Sequence, residues 1–125
     1  MERITHNVDG LVKSGTYSHV VEAGGFLFVS GMLPIDAERN IRITDDVKEA
    51  TRLALSNVRR ALQSTGSDLD RVVKVTVFLR SMKDFDDMNE VYRTFFGEDL
   101  PSRSCIAVKG VPGDFPLEIE VIATK

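Results

Sequence analysis

From Thr44 onward apolar residues recur at helical spacing: Val47, Ala50, Ala54, Val58 and Ala61, flanked by Leu55 and Leu62. That period predicts a helix over residues 45–64. Asp45 and Asp46 fall in its first turn, where the helix dipole favours negative charge, and Gly66 suits its stop. A second stripe, Phe85, Met88, Val91, Tyr92, Phe95 and Phe96, predicts a helix over 84–96 ended by Gly97. Between the two the period falls to two. Val72 to Arg80 reads as a strand, with Val73, Val75, Val77 and Leu79 on one face and Lys74, Thr76 and Arg80 sharing the other with Val72 and Phe78. The β-prone runs 18–23 and 26–31 flank Gly24-Gly25 and read as a hairpin. Further strands are predicted at 103–109 and 117–123, with a short one at 2–6. Residues 31–40, which include Pro34, read as a loop.

This order predicts an α+β fold, two helices covering one face of a mixed sheet, in a single domain over 1–125. The opposite face is half apolar, which calls for a partner. Nineteen acidic against sixteen basic residues give a net charge of −3, so the chain as a whole does not attract a polyanion, and no nucleic-acid partner is expected. The single cysteine, Cys105, excludes an internal disulfide and a cysteine-based zinc site. The N-terminus is too polar for a signal peptide, and no apolar run approaches the roughly 20 residues of a membrane helix. A cytoplasmic protein with no membrane association is the expectation.

Candidate chemistry concentrates in few places. Arg103 follows Pro101 at a predicted strand start. Its planar fork of donors would match a carboxylate at two points, although a lone arginine is more often an ordinary surface residue. Glu118 and Glu120 point to one face of the last strand, which could equally be a solvated face. Tyr17 lies in a Gly-containing loop and Ser30-Gly31 where a strand becomes a loop; packing explains both without a site. Asn89 is either a site residue or an exposed polar one. Cys105 shares a face with Arg103 and reads as a small core residue, with no base in the sequence to make it a nucleophile. His6 and His19 lack partners at ligand spacing, so no metal is expected. If strands 103–109 and 117–123 formed a simple hairpin, Arg103 and Glu118 would lie several residues apart. Either another strand separates them or a neighbouring subunit completes the site.

Gly15-Thr16-Tyr17-Ser18-His19, Val29-Ser30-Gly31-Met32-Leu33-Pro34, Pro101-Ser102-Arg103-Ser104-Cys105 and Leu117 to Ala123 together resemble the signature stretches of the YjgF/RidA family, in order and spacing. Val75-Thr76-Val77-Phe78 and Asn89-Glu90-Val91-Tyr92 extend the resemblance over nearly the whole chain. It implies a chorismate-mutase-like fold, and a homotrimer whose sheets form a central barrel with sites in the clefts between subunits. It implies hydrolysis of 2-imino acids such as 2-iminobutanoate and 2-iminopropanoate to keto acids and ammonia, without cofactor or metal. On this resemblance Arg103 is the carboxylate clamp and Glu118 the catalytic carboxylate, while Tyr17, Ser30, Gly31, Asn89 and Cys105 line the site. Thr16 stands where the family commonly has Pro, and Lys109-Gly110-Val111 departs from the usual sequence there.

Arg103 and Glu118 would serve an aminomuconate- or aminoacrylate-type deaminase equally well. A sensor binding a keto acid without turnover is a reading from a different class, though a second negative charge beside the clamp would not help pure binding. A nuclease role, attached to relatives of this family, finds no support in charge, aromatic runs or a His-based acid–base pair.

Overall fold

The computed structural model describes residues 2–13 and 15–125. Along the chain run β1 (Ile4–His6), β2 (Val20–Ala23), β3 (Phe26–Met32), β4 (Ile35–Asp36), β5 (Ile41–Arg42), α1 (Val47–Ser64), β6 (Val72–Leu79), α2 (Phe85–Phe96), β7 (Ser102–Ala107) and β8 (Leu117–Thr124). Six strands form one sheet in the order β1-β2-β3-β8-β6-β7, and β4 pairs with β5 alone. Among the described residues of the sheet only β6 and β7 are parallel. That pairing follows from α2, which carries the chain back across the sheet between them. The fold is α+β, with both helices on one face of a mixed sheet.

Each helix begins where its sequence allows. The Asp46 carboxylate accepts the Glu49 amide at 3.1 Å, so α1 starts at Val47 and Asp45 stays outside it. Its apolar stripe packs with Val75, Val77 and Leu79 of β6, Leu27 and Val29 of β3 and Ile119 and Val121 of β8 in one core. In the β2–β3 turn Gly24 and Gly25 have φ of 59° and 83°, the conformation that a two-residue hairpin favours.

Two expectations need correction. Val73 does not face the core. Val72 pairs with Ala123 while Lys74 pairs with Ile122, so Val73 is the extra residue of a bulge. The parity of β6 flips there, leaving Val72 8% exposed and Val73 42% exposed. The stretch 31–40 is not wholly loop. Ile35 pairs with Arg42 and Asp36 with Ile41, and Asn57 on α1 donates to the carbonyls of Leu33 (3.0 Å) and Ile35 (2.8 Å). Of the two arrangements left open for the last two strands, an intervening strand is the one observed: β6 lies between β7 and β8.

Neither α1 nor α2 packs on the other face of the sheet. Phe26, Phe28 and Ile106 are exposed there, with Phe78 partly so. Among the described residues no helix is long and apolar enough to cross a membrane.

The bulge gives adjacent valines unlike environments, so their truncations should differ. Burying a valine side chain is worth about 1.5–3 kcal/mol. We expect Val72→Ala to lose stability of that order, and Val73→Ala to change it by less than about 0.5 kcal/mol, as at an ordinary surface site. Urea denaturation at one protein concentration measures both; equal losses would remove the bulge.

Candidate functional site

The proposed site residues fall into two groups, one on each face of the sheet. Arg103 pairs with Val75 and Cys105 with Val77, so both project toward the helices. Glu118 pairs with Phe78 and Glu120 with Thr76, so both project from the open face. Within one chain the structure therefore does not bring Arg103 and Glu118 together.

On the helix side α2 builds the surroundings of Arg103. Residues 85, 88, 89 and 92 recur at helical spacing and line up along the helix beside β7. One guanidinium nitrogen of Arg103 donates to Asn89 Oδ1 at 2.6 Å and lies 3.9 Å from Met88 Sδ. Its carbon sits 4.7 Å from the centre of the Tyr92 ring and 5.7 Å from that of Phe85, a cation–π arrangement that fixes the plane of the fork. No acidic side chain pairs with Arg103 among the described residues. A cavity of about 210 Å³ opens beside it, lined by Asn89, Tyr92, Arg93, Leu100, Pro101 and Arg103. Tyr92 is only 5% exposed, its hydroxyl has no partner among the described residues, and burial pushes its pKa up to about 12. It stays a neutral phenol. Burial also pushes the Cys105 thiol up, against a smaller pull from the Arg103 charge, so this sulfur is a poor nucleophile.

On the open face β3 bulges. Val29 pairs with Val121 but Met32 with Ile119, so Ser30-Gly31 carries one residue more than the strand opposite. Glu118 folds over Gly31 so closely that a Cβ there would fall on its carboxylate. A cavity of about 200 Å³ lies over Glu118, walled by Phe78, Val108, Val111 and Glu120. The half-buried Glu118 carboxyl is raised above the ordinary range by desolvation first and by the Glu120 charge second.

Tyr17 belongs to this second group through its loop. The Ser30 hydroxyl donates to the Ser18 carbonyl at 2.6 Å, and the Ser30 amide to the His19 carbonyl at 3.0 Å. The Tyr17 ring, 38% exposed, meets His19 edge-on at 6.1 Å. His19 does what the sequence did not signal. Only 2% exposed, it accepts the Val8 amide on Nδ1 at 2.8 Å, which makes Nε2 the protonated nitrogen that donates to the Val12 carbonyl at 2.9 Å. One imidazole thus ties the loop preceding β2 to itself. Among the described residues no three His, Cys, Asp or Glu side chains converge as a metal would require.

Comparison with known proteins places this arrangement. The family model described as Endoribonuclease L-PSP, which is the YjgF/RidA family, matches residues 9–125. The chain belongs to the YjgF/RidA family. Its relatives in that family include a RutC family protein of Pyrococcus horikoshii, 44% identical over 111 residues (89% of this chain and 88% of that one). TdcF of Escherichia coli, which carries the designation reactive intermediate deaminase, is 38% identical over 114 residues (89% and 88%). Among solved YjgF/RidA structures, E. coli TdcF with bound serine superimposes with a TM-score of 0.89 at 34% identity, and the E. coli YjgF gene product with 0.91 at 29%; each comparison covers 98% of both chains.

The raised Glu118 carboxyl has a consequence for stability. Between its unfolded and folded values the folded state holds a proton that the unfolded chain has lost, so stability falls as pH rises through that window. Glu118→Gln has no such charge. We expect it to melt higher than the parent at neutral pH, with the gap closing as pH falls below about 4, the ordinary carboxylate range. Thermal melts across that interval check this, and a gap independent of pH would contradict it.

Proposed function

We propose that this protein is an imine deaminase of the Rid type, converting reactive 2-imino acids such as 2-iminobutanoate and 2-iminopropanoate to 2-keto acids and ammonia in the cytoplasm. The observation that carries the reading is the division of the site: a carboxylate-binding half at Arg103 and an acid–base half at Glu118, on opposite faces of one sheet. Both act on one substrate only where two copies meet. The exposed phenylalanines of the open face supply the surface for that meeting, and a homotrimer with its sheets turned inward closes the arrangement. The deaminase designation and bound serine of TdcF support an amino-acid-sized substrate here as well.

Arg103 takes both oxygens of the substrate carboxylate, its plane preset by Asn89, Tyr92 and Phe85, so little rotamer freedom is lost on binding. Glu118 of the neighbouring copy faces the imine carbon across the cleft, beside the Tyr17 loop and the Ser30-Gly31 bulge. As a carboxylate it removes a proton from water while the oxygen attacks C=N and, as an acid, hands that proton to nitrogen. It then moves the hydroxyl proton of the resulting carbinolamine to nitrogen in the same way, so that C–N breaks, ammonia leaves and the carbonyl forms. Its raised pKa suits both directions. Cys105 lines the Arg103 half as a protonated thiol with no step assigned to it, and Ser30 holds the Tyr17 loop through its own hydrogen bonds. No cofactor or metal takes part in this scheme. The nuclease reading in the family's description has less support: His6 is engaged with Glu22, His19 is buried in its loop, and neither lines the two cavities of the site.

The division yields a direct test. Arg103→Lys keeps the charge but loses the fork, and Glu118→Gln loses the acid–base group; each alone should be slowed by roughly 10²-fold. Subunits of the two variants, unfolded together and refolded, should recover roughly a quarter of the parental activity, because random mixing pairs an intact Arg103 with an intact Glu118 at one interface in four. Ammonia release from an imine made in situ by an amino-acid oxidase is the measurement. Hybrids as inactive as the single variants would sink the shared site.

Gly31→Ala tests Glu118 without touching it. The added methyl displaces the end of a flexible side chain, so stability should change by less than about 1 kcal/mol. Turnover should nonetheless fall about tenfold or more as the carboxylate leaves its place. The same ammonia assay and a thermal melt decide it, and parental activity in a folded variant would remove Glu118 from the chemistry.

A further inference from the structure

Two arginines, Arg93 and Arg103, line the cavity on the helix side. Arg93 stands four residues after Asn89 on α2, one turn along the helix face that carries the Arg103 partners. Like Arg103, it makes no ion pair among the described residues. No acidic side chain lines the cavity; its remaining wall is Asn89, Tyr92, Leu100 and Pro101. Glu98 and Asp99 precede Leu100 in sequence but are not part of that wall. The space, about 210 Å³, is below the range of roughly 300–1,000 Å³ that drug-sized ligands occupy and suits a small acid.

An α-carboxylate occupies only one of two such cations. Arg93 is exposed and without a counter-charge among the described residues, so it is free to meet a second negative charge on a ligand held at Arg103. We propose that Arg93 binds a second carboxylate, so that the preferred substrates are short 2-imino diacids, with the α-carboxylate on Arg103 and the side-chain carboxylate on Arg93. This inference rests on the imine-deaminase reading of the same site. The bond changes are those of that reaction: water adds to C=N, ammonia departs, and a 2-keto diacid remains with its second carboxylate untouched. A reaction that consumes the product is then one that accepts a keto diacid, and a reaction that supplies the substrate is one that oxidises an acidic amino acid at Cα or expels a β-leaving group from one that carries it.

The test uses binding as well as turnover. Isothermal titration of the parent protein with 2-oxoglutarate and with 2-oxobutanoate should show the diacid at least about tenfold tighter, the size of one charge-assisted contact. Arg93→Gln should lower that ratio about tenfold, whereas Arg71→Gln, the same change of charge at an exposed position outside the cavity, should leave it unmoved. The ratio of kcat/KM for the imines of glutamate and 2-aminobutanoate, each made in situ by an oxidase, should shift in parallel and mainly through KM. Equal affinity for the two keto acids, binding of neither, or an Arg93→Gln variant whose ratio is parental would overturn the proposal. Failure of the wider reading is separable from this. Protein that hydrolyses neither imine yet binds the diacid through Arg93 refutes the deaminase and keeps the dianion site. Hydrolysis of monoacid imines with no diacid preference does the reverse.

Discussion

Successive side chains of a strand leave the sheet on opposite faces, and the arrangement of this molecule depends on where that alternation falls in β6, β7 and β8. With β6 between the other two, Arg103 is in register with Val75 and points to the helices, while Glu118 is in register with Phe78 and points away. A strand rises about 3.3 Å per residue, so no side-chain rotamer carries one group around the sheet to the other. A chain that needs both must use two copies. The apolar open face and the divided site then have one common explanation, since the surface that would hold copies together is continuous with the surface that presents Glu118.

The environment of Arg103 shows how a charge is kept ready in a half-buried place. Aromatic faces at 4.7 and 5.7 Å replace part of its hydration, and Asn89 satisfies one donor without neutralising the charge. A carboxylate in place of Asn89 would compete with an anionic ligand. The amide oxygen orients the fork and leaves its charge unneutralised.

On the other face the same economy appears in backbone form. The bulge at Ser30-Gly31 makes room over β3, and the missing Cβ of Gly31 is filled by the Glu118 carboxylate. That close packing desolvates the acid and, with Glu120 adjacent, raises its proton affinity. The Tyr17 loop is secured to the bulge by Ser30 and to itself by His19, so a single segment from Val8 to Gly31 positions most of this half.

Both helices and every strand of the main sheet were legible in the period of apolar residues, because burial of one face imposes that period directly on the sequence. So was the alternation that sets Arg103 with Cys105 and Glu118 with Glu120. The inverted parity at Val73 was not, since a bulge depends on the register of Val72 and Lys74 against β8 rather than on residue type. The short β4–β5 pairing escaped for a similar reason: carbonyls of Leu33 and Ile35 are held by Asn57, 22 and more residues away. His19 gave no signal because its work is done through backbone groups, which every residue carries. Phe85, Met88 and Tyr92 read correctly as an apolar stripe, yet only packing revealed that the stripe ends on a guanidinium. Sequence determines which side chains share an element and a face. Strand order and register decide which faces meet, because those are set by contacts between residues distant along the chain.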